Sequence, residues 1–585
     1  MTAQPAIELE ALSKRYGPTV GIEDLDLEVR QGEVFGFLGP NGSGKTTTIR
    51  CLVGLLTPTA GQVRVLGLDP LAEHRDLAPR IGYLPGELRL YGELTGAQHL
   101  RLLGDLQGAP TPRRDELCRR LDLSARDLDR PVAGWSRGMK QKLGLVQALQ
   151  HDPEVAILDE PTEGLDPLVQ ETFFALLDEA KDAGRTVFLS SHVLAEVQRT
   201  CGRVAIVRGG RLATVQAVEE LRDARARRVR LTFAHGVDRD RVPVAAHWSP
   251  AWSERTLRLL VEGSEVVPAL RRLLELPVTD LAVEEAGPGR GVPGVLPSGR
   301  SGGRNGRGEV GVRTRLPLAW LALYRRRRML AVLAVGLFAF ELLIVVVATT
   351  VPTEAVFGPR QDLPVPDAFQ AFSGSSGEVT LASYAGLLGA GLVHPFWIAM
   401  HLTAVGSLAA AAIAADVEQG TIELIVVRPV SRLRLLAERA GALVAACVLL
   451  HLAATLAVFL GVLAVPRLHQ AVRLTGVVAA GVLGIGFSLC VAGPVLAVSA
   501  AGRRRGQVIG AGIAIGAVGF ALNFLALAWS AVDFLRFLSP FHYYVPADAL
   551  VTGTVPWASL AVLLAVGAAG TVAAGRLLVH RDLAP

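Results

Sequence analysis

Hydrophobic and polar positions divide the chain near residue 315. Before that point, short apolar runs alternate with charged and polar stretches, which is typical of a globular α/β protein. After it, long runs carry almost no charge. Apolar runs of about 20 residues predict membrane-spanning helices, and six such runs lie at 329–349, 394–415, 437–464, 474–500, 507–530 and 557–579. The pattern predicts an α/β half followed by an all-α transmembrane half with six helices.

A phosphate-binding motif follows an apolar strand in the first half. Residues 33–38 predict the strand, residues 47–56 predict a helix, and Gly39-Pro-Asn-Gly-Ser-Gly-Lys-Thr46 between them fits the P-loop pattern. The glycines let backbone N–H groups face phosphate oxygens at a helix N-terminus. We expect Lys45 to contact the β- and γ-phosphates of ATP and to be catalytic, and Thr46 to bind Mg²⁺. The nucleotide-binding residues predicted here are Gly39, Asn41, Gly42, Gly44, Lys45, Thr46 and Thr47.

A second acidic site follows another buried strand. Four apolar residues, 155–158, precede Asp159 and Glu160. The carboxyl ends of parallel strands are where an α/β fold presents ligand groups. We therefore expect Asp159 to hold Mg²⁺ and Glu160 to act as the general base that orients the attacking water.

Three further segments complete a family pattern. Residues 135–141 read Trp-Ser-Arg-Gly-Met-Lys-Gln, residues 164–166 read Gly-Leu-Asp, and residues 190–192 read Ser-Ser-His. With the P-loop and the acidic site, they make residues 5–215 resemble the ATP-binding-cassette (ABC) ATPases. The resemblance implies roles in the nucleotide site for the signature residues Ser136 and Gly138, the D-loop Asp166, the catalytic switch residue His192 and the adenine-stacking Tyr16.

The resemblance also implies a dimer. Each ATP would lie between one P-loop and the signature motif of another subunit, and this chain carries one set of motifs. A homodimer with twofold symmetry is the simplest arrangement.

One departure from the family concerns the Q-loop. The glutamine expected after the strand near residue 81 is replaced by Gly86. Glu87 is the nearest polar substitute, and a contribution of Glu87 to Mg²⁺ binding stays an open alternative.

Composition divides the chain further. Residues 1–215 form the expected ABC nucleotide-binding domain, here called the cassette, and 216–286 read as a small α+β accessory domain. Residues 287–314 contain ten Gly and five Arg, which predicts a flexible linker. Residues 315–585, here called the permease, hold the six spans, preceded by a basic amphipathic elbow helix over 316–328.

Charge predicts location rather than nucleic-acid binding. The net charge is +5, but much of the surplus is arginine in the linker and beside the spans. The positive-inside rule puts both termini and the cassette in the cytoplasm of a multi-pass plasma-membrane protein. None of the five cysteines has metal-type spacing, and we expect reduced thiols.

A polar segment between the second and third spans, residues 416–432, is here called the coupling segment. It resembles the cytoplasmic coupling element of type V exporters, which handle drugs, lipids and polysaccharides. The resemblance implies that Glu418, Gly420, Thr421 and Glu423 dock on the cassette. A solvated turn between helices is the alternative.

Within the first span, Glu341 is a candidate for the substrate path, and a structural hydrogen bond is the alternative. Together these features favour an ATP-driven exporter of a hydrophobic or amphipathic substrate such as a drug, antibiotic or lipid. The alternative is a non-transporting mechanical complex that acts on an extracytoplasmic partner through loop 350–393. Substrate identity is not encoded in a recognisable cluster.

Overall fold

The computed structural model describes residues 4–223, 226–234, 237, 242–274, 276–285, 316–350, 375, 383–579 and 581. The predicted linker 287–314 and most of loop 350–393 lie outside these residues. Described strands, in chain order, are β1 Ile7–Tyr16, β2 Thr19–Val29, β3 Val34–Leu38, β4 Ala60–Val65, β5 Ile81–Leu84, β6 Val155–Asp159, β7 Thr186–Ser191, β8 Arg203–Arg208, β9 Arg211–Ala217, β10 Ala226–Phe233, β11 Ala251–Ser253, β12 Thr256–Glu262 and β13 Val278–Glu285.

The described α-helices fall into a group of 4 to 16 residues each before residue 274 and a group after 316 that includes six helices of 18 to 34 residues. They are α1 Lys45–Leu52, α2 His74–Leu77, α3 Gly96–Gln107, α4 Arg114–Arg120, α5 Ala125–Leu128, α6 Arg137–Leu149, α7 Pro167–Asp182, α8 Leu194–Thr200, α9 Val218–Asp223, α10 Gly263–Leu273, α11 Pro317–Thr350, α12 Tyr384–Leu392, α13 Pro395–Ala412, α14 Ala414–Glu418, α15 Glu423–Val426, α16 Arg432–Ala464, α17 Pro466–Ala471, α18 Leu474–Ala501, α19 Arg505–Ala528, α20 Pro540–Tyr543, α21 Pro546–Thr552 and α22 Trp557–Val579. Short 3₁₀ helices lie at Ala78–Arg80, Val132–Gly134, Ala246–Trp248 and Ser530–Leu538.

A six-stranded sheet forms the centre of the cassette. Its order is β5-β6-β7-β3-β8-β9, and every neighbouring pair is parallel except β8 and β9. Strands β6 and β7 are buried along their whole length, because helices cover both faces of the sheet. A three-stranded antiparallel sheet, β2-β1-β4, adjoins it. The P-loop and the acidic site both begin at carboxyl ends of parallel strands.

The accessory region has its own sheet and core. Strands β11-β12-β10-β13 are antiparallel, and helix α10 packs against them. Its buried residues form a hydrophobic cluster separate from those of the cassette.

Six long apolar helical stretches follow, as expected. They are Pro317–Thr350, Tyr384–Ala412, Arg432–Ala464, Leu474–Ala501, Arg505–Ala528 and Trp557–Val579. The α/β ATPase fold joined to an all-α region with six candidate spans confirms the predicted fold class. Helices α18 and α22 approach closely because glycines meet there: a Cβ added at Gly493 would lie 2.0 Å from the Gly567 carbonyl oxygen.

The expected elbow is not a separate helix. Helix α11 continues without a break from Pro317 through the first span, over 34 residues. At 1.5 Å per residue it is about 50 Å long, whereas a hydrocarbon core is about 30 Å thick. Its basic first third therefore extends beyond the apolar part and packs against the cassette, where Tyr324 contacts Gln98.

The cassette and the permease share one hydrophobic core. A single cluster of buried residues includes side chains from α3 and β5 together with side chains from α11, α14 and α15. Its members at this contact include Tyr83, Leu102, Leu103, Leu318, Leu321, Val417, Ile422 and Ile425. The two halves are thus packed together at the coupling segment.

Candidate functional site

The P-loop connects the end of β3 to the start of α1. Gly42 and Gly44 have positive φ angles of 78° and 102°. At Gly44 an added Cβ would also lie 2.8 Å from the Gly21 carbonyl oxygen, so only glycine fits there. The Nζ atom of buried Lys45 donates to the Gly39 carbonyl at 2.6 Å. The loop has the geometry in which backbone N–H groups at a helix N-terminus face an anion.

Asp159 lies beside the P-loop threonine. Thr46 Oγ1 donates to Asp159 Oδ2 at 2.9 Å, and Ser190 Oγ donates to Oδ1. Burial raises the pKa of Asp159. A hydroxyl and a carboxylate in contact are oxygen ligands of the kind Mg²⁺ prefers. The residues present therefore fit this ion.

Glu160 joins the P-loop to the histidine. Its Oε1 is 3.3 Å from Lys45 Nζ, and its Oε2 is 2.9 Å from His192 Nδ1. The backbone N–H donates to Ser190 Oγ at 3.1 Å, and φ is +49°. A non-glycine residue in this region is strained by about 1–3 kcal/mol and is held by its surroundings. The carboxylate is thereby fixed at the edge of the nucleotide cavity.

A cavity of about 1020 Å³ connects these groups. It is lined by the P-loop, including Asn41 and Thr47, and by both acidic residues. The Tyr16 ring lies at its edge, because a Cβ added at the cavity residue Gly21 would meet Tyr16 Cε2 at 2.9 Å. The structure therefore brings most of the predicted nucleotide-binding residues to one place.

Three predicted residues lie apart from this cavity. Ser136 is exposed and accepts a hydrogen bond from the Met139 N–H at 3.2 Å as the N-cap of α6. Asp166 is exposed and caps α7 through the Val169 N–H at 3.0 Å. Gly138 packs against the D-loop, where an added Cβ would lie 2.8 Å from the Gly164 carbonyl oxygen. Ser136 and Asp166 are exposed, and none of these three residues lines the cavity.

Gly86 lies directly against the acidic site. A Cβ added there would be 2.9 Å from Asp159 Oδ2. Glu87 lines the same cavity, but its side chain is 83% exposed and pairs with Arg89 at 3.0 Å. Residue 86 therefore brings only backbone atoms close to Asp159.

The coupling segment is buried against the cassette, so the alternative of a solvated turn is wrong. Gly420 has a φ of +70°, and an added Cβ would lie 3.2 Å from Arg89 Cγ. The Thr421 carbonyl accepts from Tyr91 Oη at 3.5 Å. Glu418 accepts from the Arg505 N–H of the permease at 2.7 Å, and it also lines the cavity that contains the P-loop.

Glu423 reaches from α15 to the helix of the P-loop. Its Oε1 is 2.7 Å from Arg50 Nη2 on α1, and Tyr83 Oη donates to Oε2 at 3.4 Å. Burial, opposed in part by Arg50, raises the pKa of Glu423. Glu423 and Gly420 line the same cavity as the P-loop and Asp159.

Asp416 and Arg428 are contact residues that sequence reasoning did not identify. Asp416 has no exposed surface and pairs with Arg325 at 2.8 Å and Arg439 at 2.9 Å. Arg428 enters the cassette, where its guanidinium donates to two glutamine side chains. The one available signal was the position of Arg428, five residues after Glu423 at the end of an apolar run.

Glu341 is fully buried among the transmembrane helices. Neither carboxyl oxygen has a hydrogen-bond partner within the described residues. A Cβ added at Gly391 would lie 3.2 Å from Glu341 Oε2. The alternative of a structural hydrogen bond is thus not formed among the described residues, and a role on a substrate path stays a prediction. The five cysteines all lie within the described residues, where they are buried and form no disulfide.

Comparisons with known proteins follow this geometry. The family described as ABC transporter matches residues 22–163. The chain is 40% identical to the uncharacterized ABC transporter ATP-binding protein YhcH of Bacillus subtilis (strain 168), over 37% of this chain and 70% of that protein. It is 38% identical to the bacitracin transport ATP-binding protein BcrA of Bacillus licheniformis, over 35% of this chain and 68% of that protein. It is 36% identical to the daunorubicin resistance ATP-binding protein DrrA3 of Streptomyces coeruleorubidus, over 48% of this chain and 85% of that protein.

Proposed function

The chain belongs to the ABC transporter family, and on that premise we propose that it exports a hydrophobic or amphipathic compound from the cytoplasm or the inner leaflet. ATP hydrolysis in the cassette is coupled to transport through the membrane-spanning region. The proposal rests above all on one observation: the permease residues Gly420 and Glu423 line the cavity that holds the P-loop. Two relatives, named for bacitracin transport and daunorubicin resistance, support the substrate class.

The side chains around the cavity support hydrolysis of the γ-phosphate of ATP. Glu160 would orient the attacking water and accept its proton. His192, 2.9 Å from Glu160, would hold that carboxylate in place. Lys45 would exchange its present contact with Glu160 for the phosphates and offset their developing negative charge.

Thr46 and Asp159 would hold Mg²⁺. The ion supplies positive charge that offsets the charge of the β- and γ-phosphate oxygens. Asp159 is kept in position for this by its bonds to Thr46 and Ser190.

We further propose a homodimer as the working unit. The exposed residues Ser136 and Asp166 and the half-buried Gly138 do not line the cavity of their own chain. Twofold pairing would place these residues over the ATP of the second copy, so each site would need both chains.

The proposed location is the plasma membrane, with the cassette and both termini in the cytoplasm. Arginines follow or precede the spans on the side that packs against the cassette, as Arg325 and Arg505 do through the coupling segment. This matches the positive-inside rule. The proposal includes a place for Glu341 on the substrate path. It also includes the division of the chain into a cassette at 1–215, an accessory domain at 216–286, a linker at 287–314 and a permease at 315–585.

ATPase activity of the full chain in lipid nanodiscs tests this function. A panel of amphiphiles is added, with Glu160→Gln as control. We expect some compounds to stimulate hydrolysis several-fold and the variant to lose at least about a hundredfold in rate, because its general base is removed. Transport of the stimulating compounds into inverted vesicles then tests direction.

Two results would contradict the proposal. Unchanged turnover in Glu160→Gln would remove Glu160 as the base. Hydrolysis that depends on Glu160 but ignores every amphiphile, and responds instead to an external protein, would favour the mechanical complex over an exporter.

A further inference from the structure

Gly86 leaves a gap in the route from permease to nucleotide. In the family that the cassette resembles, a glutamine at this position connects the loop after β5 to the metal and the attacking water. Here the position has no side chain, and its Cα is so close to Asp159 that an added Cβ would lie 2.9 Å from Oδ2. Glu87 is exposed and paired with Arg89. Movement of the permease that reaches this loop, for example at the Gly420–Arg89 contact, therefore finds no side chain at residue 86 to carry it to Asp159.

Arg428 makes polar contacts from the permease into the cassette. Its side chain is 6% exposed. Nη1 donates to Gln107 Oε1 at 2.7 Å, and Nη2 donates to Gln147 Oε1 at 2.5 Å. The carbonyl of Arg428 contacts His74 Nε2 at 2.9 Å. Both ends of this residue are thus held by the cassette.

Gln147 connects this arginine to two parts of the nucleotide site. It belongs to α6, which begins directly after the signature residue Ser136. Its Nε2 also donates to the carbonyl of Tyr83 at 2.7 Å. Tyr83 lies on β5, three residues before Gly86. A displacement of Arg428 would therefore reach both the signature helix and the loop at Asp159.

Glu423 supplies a second contact from the same segment. It pairs with Arg50 on the P-loop helix and accepts from Tyr83 Oη at 3.4 Å. Tyr83 is thus connected to the permease twice. Its hydroxyl donates to Glu423, and its carbonyl accepts from Gln147, which in turn bonds Arg428. The segment bridges the P-loop helix and the signature helix of one cassette.

The surroundings of Arg428 contain no carboxylate partner within the described residues. Its ligands are neutral amides, and burial lowers the pKa of Arg428 to about 9. Nearby His99 and His151 are kept neutral, because burial and then the Arg428 charge lower their pKa values to about 3 and about 4. Without a counter-ion the contact depends on hydrogen-bond geometry, so small movements weaken it.

We propose that Arg428 is a positioning residue that transmits permease movement to the nucleotide site through Gln147 and the Tyr83 backbone, in place of the side chain absent at Gly86. Gln147 is the branch point of this relay. The inference rests on the proposed ATP-driven transport, but it concerns the route of coupling and not the substrate.

Two variants separate relay from simple docking. Arg428→Gln removes the guanidinium that spans both glutamines. Gln147→Glu keeps an acceptor for Arg428, now charged, but loses the N–H group that bonds the Tyr83 carbonyl. If Arg428 only docks the permease, Gln147→Glu preserves coupling. If the relay operates, Gln147→Glu uncouples although docking is strengthened.

The matched control is Arg432→Gln. Arg432 belongs to the same segment, and its guanidinium donates to permease carbonyls at the end of α22 and at Arg581. Its replacement leaves the contacts of Gln147 with Arg428 and with the Tyr83 carbonyl in place, and it should therefore leave coupling at the wild-type level.

The primary readout needs no transported compound. Hydrogen exchange of residues 414–427 is measured with and without ATP in the Glu160→Gln background, using the full chain in nanodiscs. We expect ATP to change the exchange rate of this segment in the parent and in Arg432→Gln. In Arg428→Gln and Gln147→Glu the ATP-dependent change should be about tenfold smaller, because each variant loses a charge-assisted or bridging hydrogen bond of the relay. Binding of a fluorescent ATP analogue should be unchanged in all of them.

Other results overturn the relay. An ATP-dependent change that persists in Gln147→Glu excludes the Tyr83 branch, and one that persists in Arg428→Gln excludes Arg428. Loss in Arg432→Gln as well would mean general damage to the segment and also contradicts the inference. If no amphiphile stimulates the wild type, the exporter proposal fails while this readout still decides the relay, so the two failures are distinguishable.

Discussion

The coupling segment buries two charges in opposite ways. Asp416 is fully buried and meets Arg325, Arg439 and the Thr421 hydroxyl, all at 3.2 Å or less. Arg428 is almost as deeply buried, but its side-chain partners are two neutral glutamines. The first charge is compensated by cations of its own domain, whereas the second has entered a neighbouring domain and meets no counter-ion among the described residues.

The difference indicates separate tasks. A buried carboxylate shared by two arginines is costly to break, which suits a fixed joint where the coupling segment, α11 and α16 meet beside Tyr91 of the cassette. A buried guanidinium that is held by amide oxygens has exchanged its hydration for neutral hydrogen bonds, which are weaker than bonds to a carboxylate. Such an arrangement suits a contact that forms and breaks during a transport cycle. Stability should therefore depend on Asp416, and coupling on Arg428.

The largest effect is expected from Asp416→Asn. The change leaves Arg439 and Arg325 buried with no carboxylate between them, and breaking such a group costs about 3–5 kcal/mol. We expect a large fall in the thermal unfolding temperature in nanodiscs, or failure to accumulate in the membrane.

Glu418→Gln is the matched control for this loss of charge. Glu418 is exposed and serves as acceptor for the Arg505 N–H, a role that a glutamine oxygen can keep. Its unfolding temperature should change little, by the equivalent of about 0.5 kcal/mol or less. Equal effects of the two variants would contradict the comparison.

A smaller effect is expected from pH around Arg428. The folded pKa of His151 is about 4, because burial and then the Arg428 charge disfavour the imidazolium. An unfolded histidine has a pKa near 6.5, so below that value the unfolded chain binds a proton that the folded chain does not. The free energy of unfolding should therefore decrease as the pH is lowered below about 6.5, by about 2 kcal/mol at about pH 5 for this one residue.

His151→Gln tests this assignment. Its amide can still donate to the Ile81 carbonyl, which His151 Nε2 contacts at 3.0 Å, and it cannot titrate. The variant should lose part of the acid sensitivity between about pH 7 and about pH 5 when thermal unfolding is compared. An identical slope in variant and parent would show that His151 does not contribute.

Sequence reasoning reached the nucleotide site because its residues are close along the chain or follow strands of one parallel sheet. Lys45, Thr46, Asp159 and Glu160 were predicted from motif and strand patterns, and their side chains meet around one cavity. The absence of a side chain at Gly86 was also readable. Its closeness to Asp159 was not, because that depends on the path of the loop.

Contacts between the halves were beyond the sequence. Arg428 meets Gln107 and Gln147, which are 321 and 281 residues away, and amide side chains give no signal of a buried arginine. The separate elbow helix was wrong for another reason. The change in hydropathy near residue 329 predicts a boundary, but a helix ends at glycine, proline or a cap and not where its polarity changes.

The smallest effect on stability is expected where the comparison is sharpest, in Arg428→Met. Burial disfavours the Arg428 charge strongly enough to lower its pKa to about 9, so the folded state carries a penalty that methionine removes. The lost hydrogen bonds to Gln107 and Gln147 oppose this gain. We expect the free energy of unfolding to change by no more than about 1 kcal/mol, or to rise, while ATP-dependent exchange in the coupling segment is lost.

Thermal unfolding and hydrogen exchange on one preparation of Arg428→Met decide between the two roles. A stable variant without coupling assigns Arg428 to transmission, because its burial is then tolerated at a cost to stability for the sake of the contact with Gln147. A fall in stability similar to that of Asp416→Asn would make Arg428 a second fixed joint, and the contrast between the two buried charges would then be wrong.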